Sequence, residues 1–184
     1  SETFCSSAGP HALGTEVDSR AMLRDVIEAD LPIFFEHQRD PVAARMAAFP
    51  SRERDAFMAH WHERVLGIAT NRAQTIVVDG EVAGNVVSWE QDGRRLVGYW
   101  IGREHWGKGI ATRALAEFLA HEPTRPLHAW VAVDNPASIR VLEKCGFRRD
   151  ATTAQQADDD GVVERLMTLP ALLATPPGSP PSSA

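Results

Sequence analysis

The sequence predicts one α/β domain: a mixed sheet with helices packed on its faces. Three observations carry this. Short β-branched apolar runs alternate with segments of helical periodicity, the pattern of strands and helices in layers. Asp79-Gly80 and Asp92-Gly93 are hairpin turn signals that join three consecutive runs. The 184 residues, 43% hydrophobic and 24% charged, suffice for one sizeable buried core.

In chain order, residues 19–27 are expected as a first strand. Residues 29–39 follow as a helix entered through Asp30 and Pro32, and a second helix runs over 51–66 with Ser51 as its cap. Strands at 74–78 and 82–89 flank the first turn, and 95–101 follows the second. Helix 110–121 repeats apolar residues at Ile110, Ala114, Leu115, Phe118 and Leu119, the spacing of one buried face. Strand 127–133 leads to helix 136–145, which has Asn135 as N-cap, Pro136 at its first position and Gly146 as its stop. Strands 147–152 and 162–169 close the domain as a hairpin. Residues 1–18 and 171–184 lack apolar periodicity, and the Pro/Ser-rich tail cannot pack a core, so the domain is expected over 19–170.

Composition removes several function classes. A formal net charge of −6 argues against broad electrostatic binding of nucleic acid. Two cysteines, Cys5 and Cys145, build neither a disulfide scaffold nor a zinc cluster and fit a reducing, cytoplasmic setting. The first twenty residues lack the basic and apolar regions of a secretory signal, and prolines exclude the C-terminal stretch as a membrane span. His60-Trp61-His62-Glu63 lacks zinc-hydrolase spacing, so no metal is expected. Cys145 reads as a small buried residue, and Asp158–Asp160 as a solvated turn.

The chemistry concentrates in residues 99–114, YWIGREHWGKGIATRA. A strand, a loop with Gly102, Gly107 and Gly109, and a helix start would aim unpaired N–H groups at one spot beside the positive helix end, an anion site. The loop misses a nucleotide P-loop by one residue, because Gly109 stands where a Mg²⁺-holding hydroxyl belongs. The other reading is a strand-to-helix turn that binds nothing.

Two motifs resolve this. Trp106-Gly107-Lys108-Gly109-Ile110-Ala111 resembles the pyrophosphate loop of the GNAT N-acetyltransferases, Arg/Gln-x-x-Gly-x-Gly/Ala, with Trp106 in the first place. Asn135-Pro-Ala-Ser138, followed by Val-Leu-Glu-Lys-Cys-Gly146-Phe147, resembles the branch containing the ribosomal-protein N-terminal acetyltransferases. The resemblance implies a sheet splayed between its fourth and fifth strands, with acetyl-CoA in the gap and no metal. Amides of Gly107, Lys108, Gly109, Ile110 and Ala111 would take the pyrophosphate, helped by Thr112, with Lys108 and Arg113 either cationic contacts or simply solvated. Main chain of Tyr99, Trp100 and Ile101 would pair with the pantetheine arm, and the Ile101 amide would face the thioester oxygen. Asn135 has two compatible roles, helix cap and pantetheine contact. Arg140 and Lys144 either reach CoA phosphates or stand on a solvated face.

In many family members a tyrosine four residues after this serine protonates the leaving thiolate. Leu142 holds that place here, so the resemblance leaves Ser138 as the group at the sulfur. Glu90, after the central strand, is the first choice for general base, ahead of Glu104 and His105. Trp89, Trp100 and Phe49 are expected in the core or around an apolar acceptor pocket. The acceptor implied is a primary amine, on a protein N-terminus or a small molecule; nucleic acid and membrane are excluded, and a homodimer is implied only by resemblance. The competing readings are a non-catalytic acyl-CoA-binding module and a Mg-nucleotide-binding protein.

Overall fold

The computed structural model describes residues 21–47, 49–151, 153, 156–157 and 161–171. Residues 1–18, the tail from 172 and Asp158–Asp160, on which the sequence raised expectations, lie outside the described residues.

An eight-stranded sheet forms the middle layer: β1 (Ala21–Asp25), β2 (Arg72–Val78), β3 (Glu81–Gln91), β4 (Arg94–Ile101), β5 (Leu127–Ala132), β6 (Arg148–Arg149), β7 (Gln156–Ala157) and β8 (Val163–Leu169). Their order is β1-β2-β3-β4-β5-β8-β6, with β7 also paired to β8. Every pairing is antiparallel except β4 with β5, which is parallel and registers only Leu96 against His128. Beyond that pair the sheet splays, as the resemblance implied.

Side-chain alternation along β3 and β4 sorts two cores. Val86, Val97, Tyr99 and Ile101 face α4 (Ile110–His121) and α5 (Pro136–Lys144), where Leu115, Phe118 and Leu142 complete the larger core. Val87 faces α1 (Leu31–Arg39) and α3 (Arg54–His60), packed with Phe34, Phe57 and Trp61.

Three local expectations change. A helix absent from the reading, α2 (Pro41–Ala47), follows α1 directly. Pro41 is its first residue, and Asp40 Oδ1 accepts from the Val42 and Ala43 amides at 2.8 and 2.9 Å. The next helix starts at Arg54, with Glu53 rather than Ser51 at the cap position, and continues as a wide π-turn over Trp61–Leu66. The last hairpin is shorter on one side: Arg148–Arg149 pair with β8, and Gln156–Ala157 add a second short stretch beside it. Asp30 does more than enter a helix. Its buried carboxylate takes both Arg24 nitrogens (2.6 and 2.7 Å), the Ile27 amide and the Thr75 hydroxyl. Burial pushes this carboxyl up, but those bonds outweigh it and hold its pKa below the ordinary value.

A buried polar cluster closes the sheet at the foot of the splay. Arg95, one residue before the single β4–β5 pair, donates to Thr70 O (2.7 Å), Ser88 Oγ (2.9 Å) and Glu122 Oε2 (3.1 Å). Ser88 Oγ donates to the same carboxylate at 2.7 Å, and the Thr124 amide reaches Glu122 Oε1. Glu122 is 3% exposed. Burial raises its pKa, but the bonds from Ser88, Thr124 and Arg95 win and hold it at about 2, against 4.5. The folded pKa is the depressed one, so the stability it contributes is complete above the unfolded value and lost as pH falls toward 2. Glu122→Gln is expected to cost on the order of 3 kcal/mol at neutral pH. It should also flatten the fall in stability between about pH 5 and 2. Urea unfolding of both proteins at pH 6 and pH 3 checks this: an equal gap at both pH values would assign the depression elsewhere.

Candidate functional site

The splay brings the predicted loop and the α5 motif to opposite banks of one gap. On the β4 bank, the Gly102 amide bonds to Ala83 O of β3 at 2.8 Å. Strand alternation then turns the Ile101 N–H and C=O the other way, into the gap. Trp106 Nε1 takes that carbonyl at 2.9 Å, tying the loop to the strand it leaves. The Ile101 N–H stays directed at the gap, so at this residue the strand offers a donor and not an acceptor.

Past Trp106 the backbone turns through Gly107 (φ +74°) and Gly109 (φ +70°) into α4. Gly109 is the residue before the first turn and has no side chain to cap it, so the first amides of α4 face outward unobstructed. A cleft opens there, lined by Ile101, Trp106, Gly107, Gly109, Ile110, Ala111 and Thr112, with Ala137 and Val141 of α5 opposite. The residues present fit a phosphate-bearing ligand with a slender apolar arm: a positive helix end, glycines that keep Cβ atoms away, and an apolar far wall.

Not every predicted contact faces the cleft. Lys108 folds back onto Glu104 O (3.0 Å), and Arg113 Nη2 donates to Lys108 O (3.0 Å), so both cations brace the loop. Arg140 is exposed on α5. Trp100 points to the other face of the sheet, packed on Ala43 and Ala47 of α2 and edge-on to Phe49. Trp89 belongs to the α1–α3 core, so the three aromatics do not form one pocket. The sequence reading did not anticipate Ala137 and Val141; their spacing on one helix face was the available signal.

On the α5 bank Asn135 Oδ1 accepts the Ser138 amide at 3.0 Å, the cap expected. Ser138 is fully buried, and its hydroxyl lies 2.7 Å from the hydroxyl of Tyr99, itself 1% exposed. Leu142 is in the core, as expected for an aliphatic at that place. The chain's only tyrosine therefore reaches Ser138 from the strand.

Glu90 does not come to this gap. It sits opposite Arg95 in the β3–β4 register, with its carboxylate 3.8 Å from that guanidinium. That is six residues of β4 from Ile101, about 20 Å. Glu104 does come near. It stands in the short turn after β4, its Oε1 3.2 Å from His37 Nε2 and 3.8 Å from His105 Nε2. Burial pushes Glu104 up, but its own backbone amide and the two histidines win and lower it, so it is charged at neutral pH. Burial lowers His37, which the neighbouring carboxylate only partly offsets, so this ring is neutral. Its Nδ1, the Asn85 Oδ1 and the Trp100 Nε1 are buried and hydrogen-bonded to nothing described. Asn85 and Trp100 are cross-strand partners. On the same side, a groove of about 530 Å³ lies between Val42, Arg45 and Met46 of α2 and Val133, Asp134 and Val163 at the strand ends. That is ample for a small ligand.

Trp61 is core, and His62 Nε2 pairs with the Glu28 carboxylate at 3.0 Å. Among the described residues no group of three or more His, Cys, Asp or Glu side chains is arranged to hold a metal ion. Burial pushes the Cys145 thiol up to about 11, so it is not a nucleophile at neutral pH.

A sheet split beyond one parallel pair, with a glycine loop at a helix N-terminus on one bank, defines a fold class that holds a phosphate-tailed ligand in its gap. The chain belongs to the GNAT acetyltransferase family: the profile described as "Acetyltransferase (GNAT) domain" matches residues 20–148. Relatives include the uncharacterized N-acetyltransferase p20 of Bacillus licheniformis, 31% identical over 81 residues, covering 42% of this chain and 45% of that protein. The probable N-acetyltransferase YjcK of Bacillus subtilis is 34% identical over 73 residues, covering 38% and 40%. The chain thus matches less than half the length of these curated relatives. Among solved structures, a chimera of Vibrio cholerae spermidine N-acetyltransferase SpeG with hSSAT superposes with a TM-score of 0.68 at 19% identity, covering 82% of this chain and 95% of that one. The aminoglycoside acetyltransferase AAC(6')-Ib in complex with coenzyme A gives 0.63 at 21% identity, covering 81% and 95%. These two share the fold.

The Trp106 bond generates a prediction. Trp106→Phe keeps the ring and removes the bond to Ile101, at a cost of about 1 kcal/mol. Amide exchange at residues 107–110 should quicken; unchanged exchange there would show that the glycine loop holds itself.

Proposed function

We propose that this chain is an acetyl-CoA-dependent N-acetyltransferase that transfers acetyl to a primary amine by direct attack in a ternary complex. One observation carries the reading: the glycine loop at the start of α4 opens into a cleft whose far wall is Ala137 and Val141 of α5, the helix that carries Ser138. The α4 amides and Thr112 would hold the pyrophosphate, and Ile101 N–H would face the thioester oxygen as negative charge develops there. Ser138 would hydrogen-bond the departing sulfur. Structural neighbours named for spermidine and aminoglycoside acetylation, the latter with coenzyme A bound, support this cosubstrate and an amine acceptor.

The acceptor would enter from the α2 groove, where Asp134 offers a carboxylate to a protonated amine. Enclosure by α2 favours a small amine over a protein N-terminus, which the resemblance to the ribosomal-protein branch had put forward. The amine must lose a proton to attack. Glu104, charged and hydrogen-bonded to the neutral His37 ring at the end of β4, takes that role from Glu90. Glu104→Gln should lower the rate mainly below the pKa of the acceptor amine, and Glu90→Gln should leave it within twofold; the reverse pattern would restore Glu90.

The reading is tested by calorimetric titration of wild type and Gly109→Asp with acetyl-CoA, CoA and Mg-ATP, then by thiol release on a panel of spermidine, an aminoglycoside and a peptide N-terminus. Acetyl-CoA should bind wild type and lose at least a hundredfold in affinity on Gly109→Asp, which sets a carboxylate at a φ of +70° against the phosphates. Binding without turnover would favour an acyl-CoA-sensing module. No binding of any CoA species would defeat the proposal.

A further inference from the structure

The serine assigned to the sulfur is a poor acid by itself. A leaving thiol has a pKa near 8.5, whereas an aliphatic hydroxyl does not ionise in the ordinary range. If Ser138 gave its proton to the thiolate unaided, a buried alkoxide would remain, with no cation described within hydrogen-bond reach of its oxygen. Such a state is strongly uphill.

The structure supplies a second hydroxyl. Tyr99 is 1% exposed and Ser138 fully buried, and their oxygens are 2.7 Å apart, the ordinary length of a hydroxyl–hydroxyl hydrogen bond. The phenol also lies 3.4 Å from Ser138 O, a longer contact than the one to the serine hydroxyl. The pair spans the two banks: Tyr99 comes from β4, opposite Val86 in the register, and Ser138 from the first turn of α5, with its amide held by Asn135.

We infer that Tyr99 is a positioning residue that supplies, through Ser138, the proton taken by the leaving thiolate. With the phenol donating to Ser138 Oγ, the single serine hydrogen is free to turn toward the sulfur. As the N–C bond forms and the C–S bond breaks, sulfur takes the bonding pair and the serine proton. The phenol proton passes to Ser138 Oγ in the same event, so no alkoxide forms. The phenolate then recovers, by way of solvent, the proton that the amine gave up, and the balance is one amide and one thiol. Of the two hydroxyls the phenol is much the stronger acid. This inference rests on the acetyltransferase reading and explains how the domain works with Leu142 in place of a helix tyrosine.

The experiment is a double-mutant cycle on the full chain, Tyr99→Phe, Ser138→Ala and both together, with acetyl-CoA affinity measured on each. Tyr99→Phe should lower kcat about tenfold with acetyl-CoA affinity within twofold. Ser138→Ala should lower it at least as much, and the double variant should be no slower than Ser138→Ala. Full kcat in Tyr99→Phe, or losses that multiply in the double variant, would overturn the inference while leaving acetyl transfer intact; absence of wild-type turnover would instead defeat the underlying reading. A second readout needs neither activity nor a tyrosine deletion. Tyr99 is the sole tyrosine, so growth on 3-fluorotyrosine labels only this site. Its ¹⁹F resonance should shift on Ser138→Ala; an unmoved resonance would show that the two hydroxyls are not partnered.

Discussion

The architecture depends on where the sheet stops being a sheet. Arg95, Ser88 and Glu122 tie β4, β3 and the end of α4 together beside the one residue pair that joins β4 to β5. Breaking a buried pair of this kind is costly because it strands a charge, so the tie is strong in the sense of being hard to lose. Everything beyond it can diverge: with their common foot fixed, the two strands leave unpaired main chain on both banks without losing registry elsewhere. A gap with free backbone donors is otherwise hard to keep in a folded core, where orphaned groups normally find partners. Here the fold permits the gap on one side of the cluster by closing it firmly on the other.

The gap gives the site two unlike faces. Toward α4 and α5 it meets a helix N-terminus and an apolar wall, with the Tyr99–Ser138 pair buried between β4 and α5. Toward α1 and α2 it meets a neutral buried histidine, a charged carboxylate and unpartnered polar atoms on Asn85 and Trp100. Strand alternation makes this sorting automatic, because Tyr99 and Trp100 are neighbours in sequence and must point to opposite faces. A donor on one face and an acceptor on the other can then meet only at the backbone of β4.

The strands beside the turns and the capped helices were legible because their signals are local. Asp-Gly turns, a period of 3.6, and Asn135-Pro136 act within a few residues of themselves. The missed α2 had a local signal too, Asp40-Pro41, a capping side chain followed by a proline at the first helical position. Where Glu90 lies relative to the gap was not legible for a different reason. Its position along the chain, after the central strand, says nothing about which end of the splay it occupies, and that is fixed by the antiparallel register with Arg95. The meeting of Tyr99 with Ser138 is likewise a product of topology, since 39 residues separate them.

Placing the phenol on the strand has a structural consequence that a helix position would lack. At 142 the side chain is embedded among the core of α5 and the sheet, where a hydroxyl would have to find its own partner. At 99 the ring is held by the β3–β4 register, which is itself exacting at this point. A Cβ on Gly84 would fall 2.0 Å from the Trp100 carbonyl oxygen, so the two backbones approach closely enough that only glycine fits. That close approach sets the height of Trp100 and Ile101 relative to β3, and with it the direction of the Ile101 amide and the reach of the Tyr99 hydroxyl. The Ile101 amide and the Tyr99 hydroxyl are therefore carried on one rigid stretch of strand, and a change in strand position would move both together.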